Sequence, residues 1–325
     1  MAASTVKNLT STESFLDDFY YLPDPGLRAA VEVARDLQMP LLVTGEPGTG
    51  KTELARWIAK WIANDPKSEP LRFDTKTTST AKDLFYRYDA IRHFAKREKD
   101  DLTPLDFITL VALGEAIADA ETGAPRRVVL VDEIDKAPRD FPNDVLFQFE
   151  KYAFKIEEAT KKDFEDYKGR TFERDENDNI CCAKGAEPFL LLTSNSEKNL
   201  PDAFLRRCVF YHITFPEPSK DKNKTLETIV RHKARVSDSY RKHLEQHLGE
   251  ILLHFEGIRN RGLHKKPATA ELIRWIEALG REGREVFWDK IQWDKIEDPM
   301  RAKLLETMPV LLKTKEDLEI FNPNH

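Results

Sequence analysis

The apolar positions of this chain follow two regimes. Up to about residue 216, short unbroken hydrophobic runs alternate with longer segments of helical period. Pro40-Leu41-Leu42-Val43-Thr44, Leu71-Arg72-Phe73-Asp74, Arg127 to Val131 and Phe189 to Leu192 read as strands, the first, third and fourth of them buried. Val209 to Phe215 alternates apolar and polar residues, as an edge or last strand would. Between the runs, Leu27, Val31, Ala34 and Leu37 mark one face of a helix over 25–38. Leu54, Trp57, Ile58, Trp61 and Ile62 form one stripe of a helix from Lys51 to Ile62, which Asn64-Asp65-Pro66 stops. Strands separated by helices indicate a parallel α/β sheet. Pro216-Glu217-Pro218 breaks the pattern, and the rest reads as helices over 219–235, 238–256 and 269–284, with two shorter ones to 315.

The expected organisation is a polar N-terminal arm over 1–18 and an α/β core over 19–216. An all-helical domain follows over 217–285, then a C-terminal helical extension over 286–325. Two polar, charged stretches near 75–104 and 155–187 read as insertions into the core, the second holding the turn Asp175-Glu176-Asn177-Asp178-Asn179. No internal repeat is visible.

A length of 325 residues fits two domains. Hydrophobic residues at 40% supply a core and argue against a mainly disordered chain. A net charge of −6 argues against a basic protein that coats nucleic acid. No run approaches the roughly 20 apolar residues of a membrane span, and the first residues lack an apolar leader. Three cysteines, with Cys181 and Cys182 adjacent and Cys208 in a charged context, do not make a disulfide scaffold. A reducing cytoplasm is the expected location. His243 and His247 share a helix face without a third metal ligand in view. Trp57, Trp61 and Trp275 read as core residues, and Trp288 and Trp293 as anchors of the C-terminal tail.

Gly45-Glu46-Pro47-Gly48-Thr49-Gly50-Lys51-Thr52 fits the phosphate-loop pattern between a strand and a helix. Glycines let the backbone turn tightly and aim its N–H groups at phosphate oxygens, and the helix that begins near Lys51 adds its positive end. In that pattern Lys51 reaches the β- and γ-phosphates, while Thr52 ligates Mg²⁺. Glu53 completes the nucleotide-binding stretch. Val128-Val129-Leu130-Val131-Asp132-Glu133-Ile134-Asp135 is an apolar run that delivers carboxylates to the C-terminal edge of a sheet, where ligands of open α/β folds sit. Asp132 suits the metal's hydration shell, and Glu133 suits polarising an attacking water. No guanine-reading Asn-Lys-x-Asp occurs, so ATP is the expected nucleotide.

With these residues in place the chain resembles the AAA+ ATPases, and within them the MoxR group of the helix-2-insert clade, over roughly residues 20–280. The resemblance rests on GEPGTGKT (45–52), VVLVDEID (128–135), LLTSN (191–195), PDAFLRRC (201–208) and KKPATAELIRW (265–275). It implies an AAA+ P-loop core, a parallel five-stranded sheet between helices, followed by a smaller all-helical lid. It gives Asn195 the place of the first sensor, which positions the attacking water. It gives Arg207, or Arg206 beside it, the place of an arginine finger that acts on a neighbouring subunit. It lays Tyr21, in Tyr21-Leu22-Pro23-Asp24, against the adenine, and it puts a helix-2 insert near 75–104. Asn143 to Phe154 resembles the helix that leads into the hairpin before the first sensor. Many relatives place an arginine at the start of a lid helix; here Lys266, Lys265 or Arg274 is left for that second sensor. A lysine lacks the bidentate fork of arginine. The resemblance also implies a homo-oligomer, a hexameric ring, that remodels a protein client, often with a partner carrying a von Willebrand factor A domain.

Two other readings stand beside the remodelling ATPase. Arg87, Arg92, His93, Lys96, Arg97 and Lys99 interleave with Tyr86, Tyr88 and Phe94, the mix that single-strand grooves use, which suggests a nucleic-acid motor. Glu98, Asp100 and Asp101 follow at once, as on a solvated face. The third reading is a switch that assembles on ATP without working continuously.

Overall fold

The apolar runs become five parallel strands in one sheet, ordered β2-β5-β8-β1-β9. The computed structural model describes residues 21–96, 102–120, 124–195, 200–220, 225–281 and 299–321. The expected arm over 1–18, Arg97, Lys99, Trp288 and Trp293 lie outside the described residues. Along the chain, α1 (Pro25–Leu37) leads into β1 (Leu41–Gly45), followed by α2 (Lys51–Ala63) and β2 (Leu71–Asp74). Next come β3 (Tyr86–Tyr88), α3 (Ala90–Ala95), β4 (Ile108–Leu110), α4 (Ala112–Ala118) and β5 (Val128–Asp132). Then α5 (Phe141–Asp144), α6 (Leu146–Lys151), β6 (Ala153–Phe154), α7 (Lys161–Asp166) and β7 (Ile180–Cys181) precede β8 (Phe189–Ser194), α8 (Asp202–Leu205) and β9 (Val209–Ile213).

Every residue of β1, β5 and β8 is buried. That is the signature of inner parallel strands covered on both faces, and it is why their sequences are unbroken apolar runs. β9 alternates because it is an edge, pairing with β1 alone among the described residues. Asp24 caps α1 by accepting from the amides of Gly26 at 2.9 Å and Leu27 at 3.1 Å. The face of α1 buries Leu27, Val31 and Ala34, but Leu37 is 60% exposed. The helix ends at Leu37 with Gln38 in the left-handed conformation, and this turns the last position of the stripe outward.

The stretch near 75–104 carries more structure than its polar sequence suggests. β3 and β4 pair antiparallel, Tyr86 opposite Leu110, with α3 between them. β6, just before the 155–187 stretch, pairs antiparallel with β7 inside it, and α7 lies between them.

The chain divides into two units. Pro23–Gly45 and Lys51–Ile213 make the first. The second contains Glu46–Gly50 and the residues from Thr214 onward, including α9 (Thr225–Lys233), α10 (Asp238–Arg259), α11 (Thr269–Leu279), α12 (Pro299–Thr307) and α13 (Lys315–Phe321). Leu244, Leu248, Ile251 and Phe255 of α10 pack with Leu272, Trp275 and Ile276 of α11 in one core, which Leu304, Met308, Leu311 and Phe321 join. The indole of Trp275 donates to the Thr307 hydroxyl at 2.8 Å, so its buried N–H is satisfied. Of the five helices expected after 216, α9 is described from Thr225, α10 runs on to Arg259, and α11 stops at Leu279, where Gly280 caps it. No described helix is long and apolar enough to cross a membrane.

Candidate functional site

Gly48 and Gly50 have φ of 79° and 90°, backbone that side-chain-bearing residues rarely adopt. A Cβ on Gly48 would also lie 3.1 Å from the Cβ of Ala268, and one on Gly50 would lie 3.3 Å from the ring of Tyr21. The glycines of the motif are therefore demanded both by the turn and by close packing. Thr49 closes the turn, donating from its hydroxyl to the Glu46 carbonyl at 2.8 Å. Pro47 sits between them. At the start of α2, the Lys51 ammonium donates to the Gly45 carbonyl at 2.7 Å and is buried. Burial pulls its pKa down, while the charges of Asp132, Asp135 and Glu133 oppose that pull. Thr52 is half-buried in the first turn of α2. Glu53 turns to Arg56, 3.0 Å away.

The C-terminal ends of β5 and β8 bring the carboxylates together with the expected sensor. Asp132 Oδ1 accepts from the Thr193 hydroxyl, and its Oδ2 accepts from Arg72 Nη2 at 2.9 Å. The amide of Glu133 donates to the same Thr193 hydroxyl at 2.9 Å. Glu133 stands in the left-handed conformation, φ 55° and ψ 52°, which swings it out of the strand. Its Oε1 accepts from Asn195 Nδ2 at 3.1 Å, and its Oε2 pairs with Lys136. Asn195 is held from behind, its amide donating to Asp135 Oδ1 at 3.3 Å. The Lys136 ammonium, helped by the Asn195 amide and by Lys51, keeps the Glu133 carboxyl below the usual carboxylate value. An ionised carboxylate hydrogen-bonded to an amide side chain is suited to orienting a water and taking its proton.

Asp132 and Thr52 offer hard oxygen donors, the kind that Mg²⁺ takes. The guanidinium of Arg72 on Asp132 shows that this carboxylate already attracts a cation. The donor set fits the metal.

Residues 34–159 match the family described as AAA domain. No curated protein matches the sequence. Many solved structures resemble it, and two of them serve as examples. The S. cerevisiae Hsp104–ADP complex is 17% identical, with a TM-score of 0.43 over 76% of this chain and 41% of that one. NtrX from Brucella abortus is 14% identical, with a TM-score of 0.46 over 87% of this chain and 55% of that one. The present chain thus spans 41% and 55% of those two chains.

Beyond the matched segment, α8 ends in two exposed arginines. Arg207 is engaged within its own chain: Nε donates to Glu150 Oε1 at 2.7 Å, and Nη1 donates to the Ala203 carbonyl at 3.0 Å. Arg206 and Arg207 line a cleft of about 610 Å³ with Glu150, Lys151 and Cys208. Cys208 itself is buried, and burial pushes its thiol up to about 12.

Lys265, Lys266 and Arg274 are all exposed. Besides Lys51, Arg259 is a cation at the phosphate loop, and little in the sequence announces it. It is buried, pairs with Glu46 at 2.9 Å, donates to the Pro267 carbonyl and covers the ring of Phe215 at 3.7 Å. A signal was present: Arg259 follows Phe255 by four positions, on the buried stripe of α10, where a charge needs a partner. Arg72 and Thr193 gave no comparable signal.

The basic and aromatic mix near 86–99 does not form a stacking platform among the described residues. Tyr86 is buried and donates to Glu158 at 2.7 Å. Tyr88 bonds His93, whose ring stacks on Phe107 with centroids 4.6 Å apart. Phe94 is the aromatic of this set that stays open to solvent.

Proposed function

We propose that this protein is an Mg²⁺-dependent AAA+ ATPase of the MoxR type, which hydrolyses ATP between subunits of a hexameric ring to remodel or activate a client protein. The observation that carries this reading is Glu133. It is an ionised carboxylate tied to Asn195 and placed in the electrostatic field of Lys51. Lys51 and the amides of 46–52 bind the phosphates, Thr52 and Asp132 hold the metal, and Tyr21 lies against the base. Bound Mg²⁺ neutralises charge on the phosphates. Glu133 takes the proton of a water that Asn195 positions, and Arg207 or Arg206 of a neighbouring copy stabilises the charge that develops. Arg259 serves as the second sensor at the phosphate loop, with the exposed Lys266, Lys265 and Arg274 as alternatives. A von Willebrand factor A domain partner and a cytoplasmic location complete the proposal. The internal engagement of Tyr86, Tyr88 and His93 favours a protein client over a nucleic acid.

The test is ATP turnover per protomer against protein concentration, with Lys51→Ala and Glu133→Gln measured alongside. Turnover is expected to rise steeply with concentration. Lys51→Ala should lose ATP binding, and Glu133→Gln should bind ATP without turning it over. Failure of the native chain to bind Mg·ATP, or normal turnover by Glu133→Gln, overturns the reading.

A further inference from the structure

Two carboxylates with different tasks, Asp132 and Glu133, depend on one hydroxyl. We propose that Thr193 is the positioning residue that sets both the metal-holding carboxylate and the backbone of the water-activating residue. The inference rests on the ATPase reading above and adds to it a residue that never touches substrate.

Thr193 lies on β8, is 0% exposed, and stands between β1 and β5 in the sheet. Its hydroxyl has one proton. The amide of Glu133 can only donate, so Thr193 accepts there and must give its own proton to Asp132 Oδ1. The chain of bonds therefore has a fixed direction, from the Glu133 amide through the hydroxyl to the Asp132 carboxylate. It fixes the rotation of Asp132, whose other oxygen faces Arg72. It also anchors Glu133 at φ 55°, a conformation that costs a side-chain-bearing residue roughly 1–2 kcal/mol. An unpaired, partly buried amide at Glu133 would add to that strain and let the residue relax toward ordinary strand geometry. The carboxylate would then leave Asn195. A β-branched residue that merely fills the sheet needs only shape, and valine supplies that. Positioning needs the hydroxyl, which serine also supplies.

The experiment compares Thr193→Val and Thr193→Ser in the full chain, reading Mg²⁺ affinity as well as turnover. ATP binding is titrated with Mg²⁺ by calorimetry, and kcat is measured separately. Loss of a residue that orients a metal ligand commonly costs about 10–100-fold in metal affinity or activity. Thr193→Val is expected to raise the half-saturating Mg²⁺ concentration about tenfold and to lower kcat by about a hundredfold, while metal-free ATP binding stays within about threefold. Thr193→Ser should restore both to within about threefold of the native chain. Thr193→Cys, a weak donor of nearly the same size, keeps the question open to test should the valine variant fail to fold, and the same tenfold shift is expected. Native Mg²⁺ affinity and kcat in folded Thr193→Val or Thr193→Cys would overturn the assignment, as would a serine variant as impaired as valine. If the native chain itself binds no Mg·ATP, the ATPase reading falls and takes this inference with it. Native binding with an unaffected valine variant removes the Thr193 role alone.

Discussion

Arg207 donates to Glu150 across 2.7 Å, and its guanidinium also bonds the carbonyl of Ala203 one turn back. An arginine that serves a neighbouring subunit has to leave that arrangement. Leaving is cheap, because both partners are about half exposed and such pairs contribute only about 0–1 kcal/mol. Glu150→Gln should therefore change stability by less than about 1 kcal/mol. Arg207→Ala should lower ATP turnover by roughly 10³-fold, the scale of an arginine finger. Mixing it with Glu133→Gln decides whether the action is between subunits. Each variant alone has a broken site, but a mixed assembly pairs an intact carboxylate with an intact arginine. Recovered turnover in the mixture is expected; a mixture as inactive as its components would mean that Arg207 does not act on a neighbouring subunit, and Arg206→Ala should then be put through the same mixing.

The Lys136 ammonium hydrogen-bonded to Glu133 is the first cause that holds its carboxyl below the ordinary carboxylate range. A carboxyl lowered on folding stabilises the native state above its unfolded pKa, and that contribution is lost as the pH falls through the folded value. Lys136→Met removes the main cause, so the midpoint should move up toward the ordinary carboxylate range. NMR titration of the Glu133 carboxyl carbon in both proteins would measure it. Coincident midpoints would mean that Lys136 does not tune the base.

The inner strands were legible because burial on both faces leaves little room for a polar residue; 41–45, 128–132 and 189–194 are nearly pure apolar runs. The phosphate loop and the ends of β5 and β8 were legible for a related reason, since the chain order alone puts Lys51, Asp132, Glu133 and Asn195 at the same edge. β3 and β4 were not. Each has three residues, and their pairing spans α3. It is supported by tertiary bonds such as the Val111 amide to the Phe85 carbonyl at 2.8 Å, which no local pattern encodes. Thr193 and Arg72 were hidden for the same reason. Their importance lies in partners about 60 residues away. Gly280 after Leu279 was a visible stop signal for α11 that helical periodicity outweighed.

Gly114 sits in α4 where an added Cβ would fall 1.9 Å from the carbonyl oxygen of Phe85. In an open helix, glycine to alanine gains about 1 kcal/mol. Here the neighbour is backbone and must move, so Gly114→Ala should destabilise by at least about 1–3 kcal/mol. Gly249 in α10 is the matched control, with nothing within 4 Å of an added Cβ. Gly249→Ala should raise thermal stability slightly. Chemical denaturation of the two variants checks both signs, and a stabilised Gly114→Ala would contradict the close contact between α4 and Phe85.

Arg259 and Glu46 tie the phosphate loop to α10 within the second unit. The guanidinium is buried, while Glu46 keeps 44% of its side chain exposed, so solvent screens part of the attraction. The stronger constraint is geometric. Arg259 uses one nitrogen for Glu46, another for the Pro267 carbonyl, and its flat face for Phe215. Lysine cannot reproduce three such contacts with one ammonium. Arg259→Lys should therefore loosen Glu46 and the amides that follow it, weakening ATP binding several-fold. Glu46→Gln should cost about 1–3 kcal/mol of stability, mostly through the buried cation it leaves behind. If the two residues act as a unit, the double variant will fall short of the sum of the single losses by at least about 0.5 kcal/mol. Additive losses in ATP affinity and stability would mean that Arg259 supports α10 and the loop independently, and that Glu46 faces the nucleotide without its help.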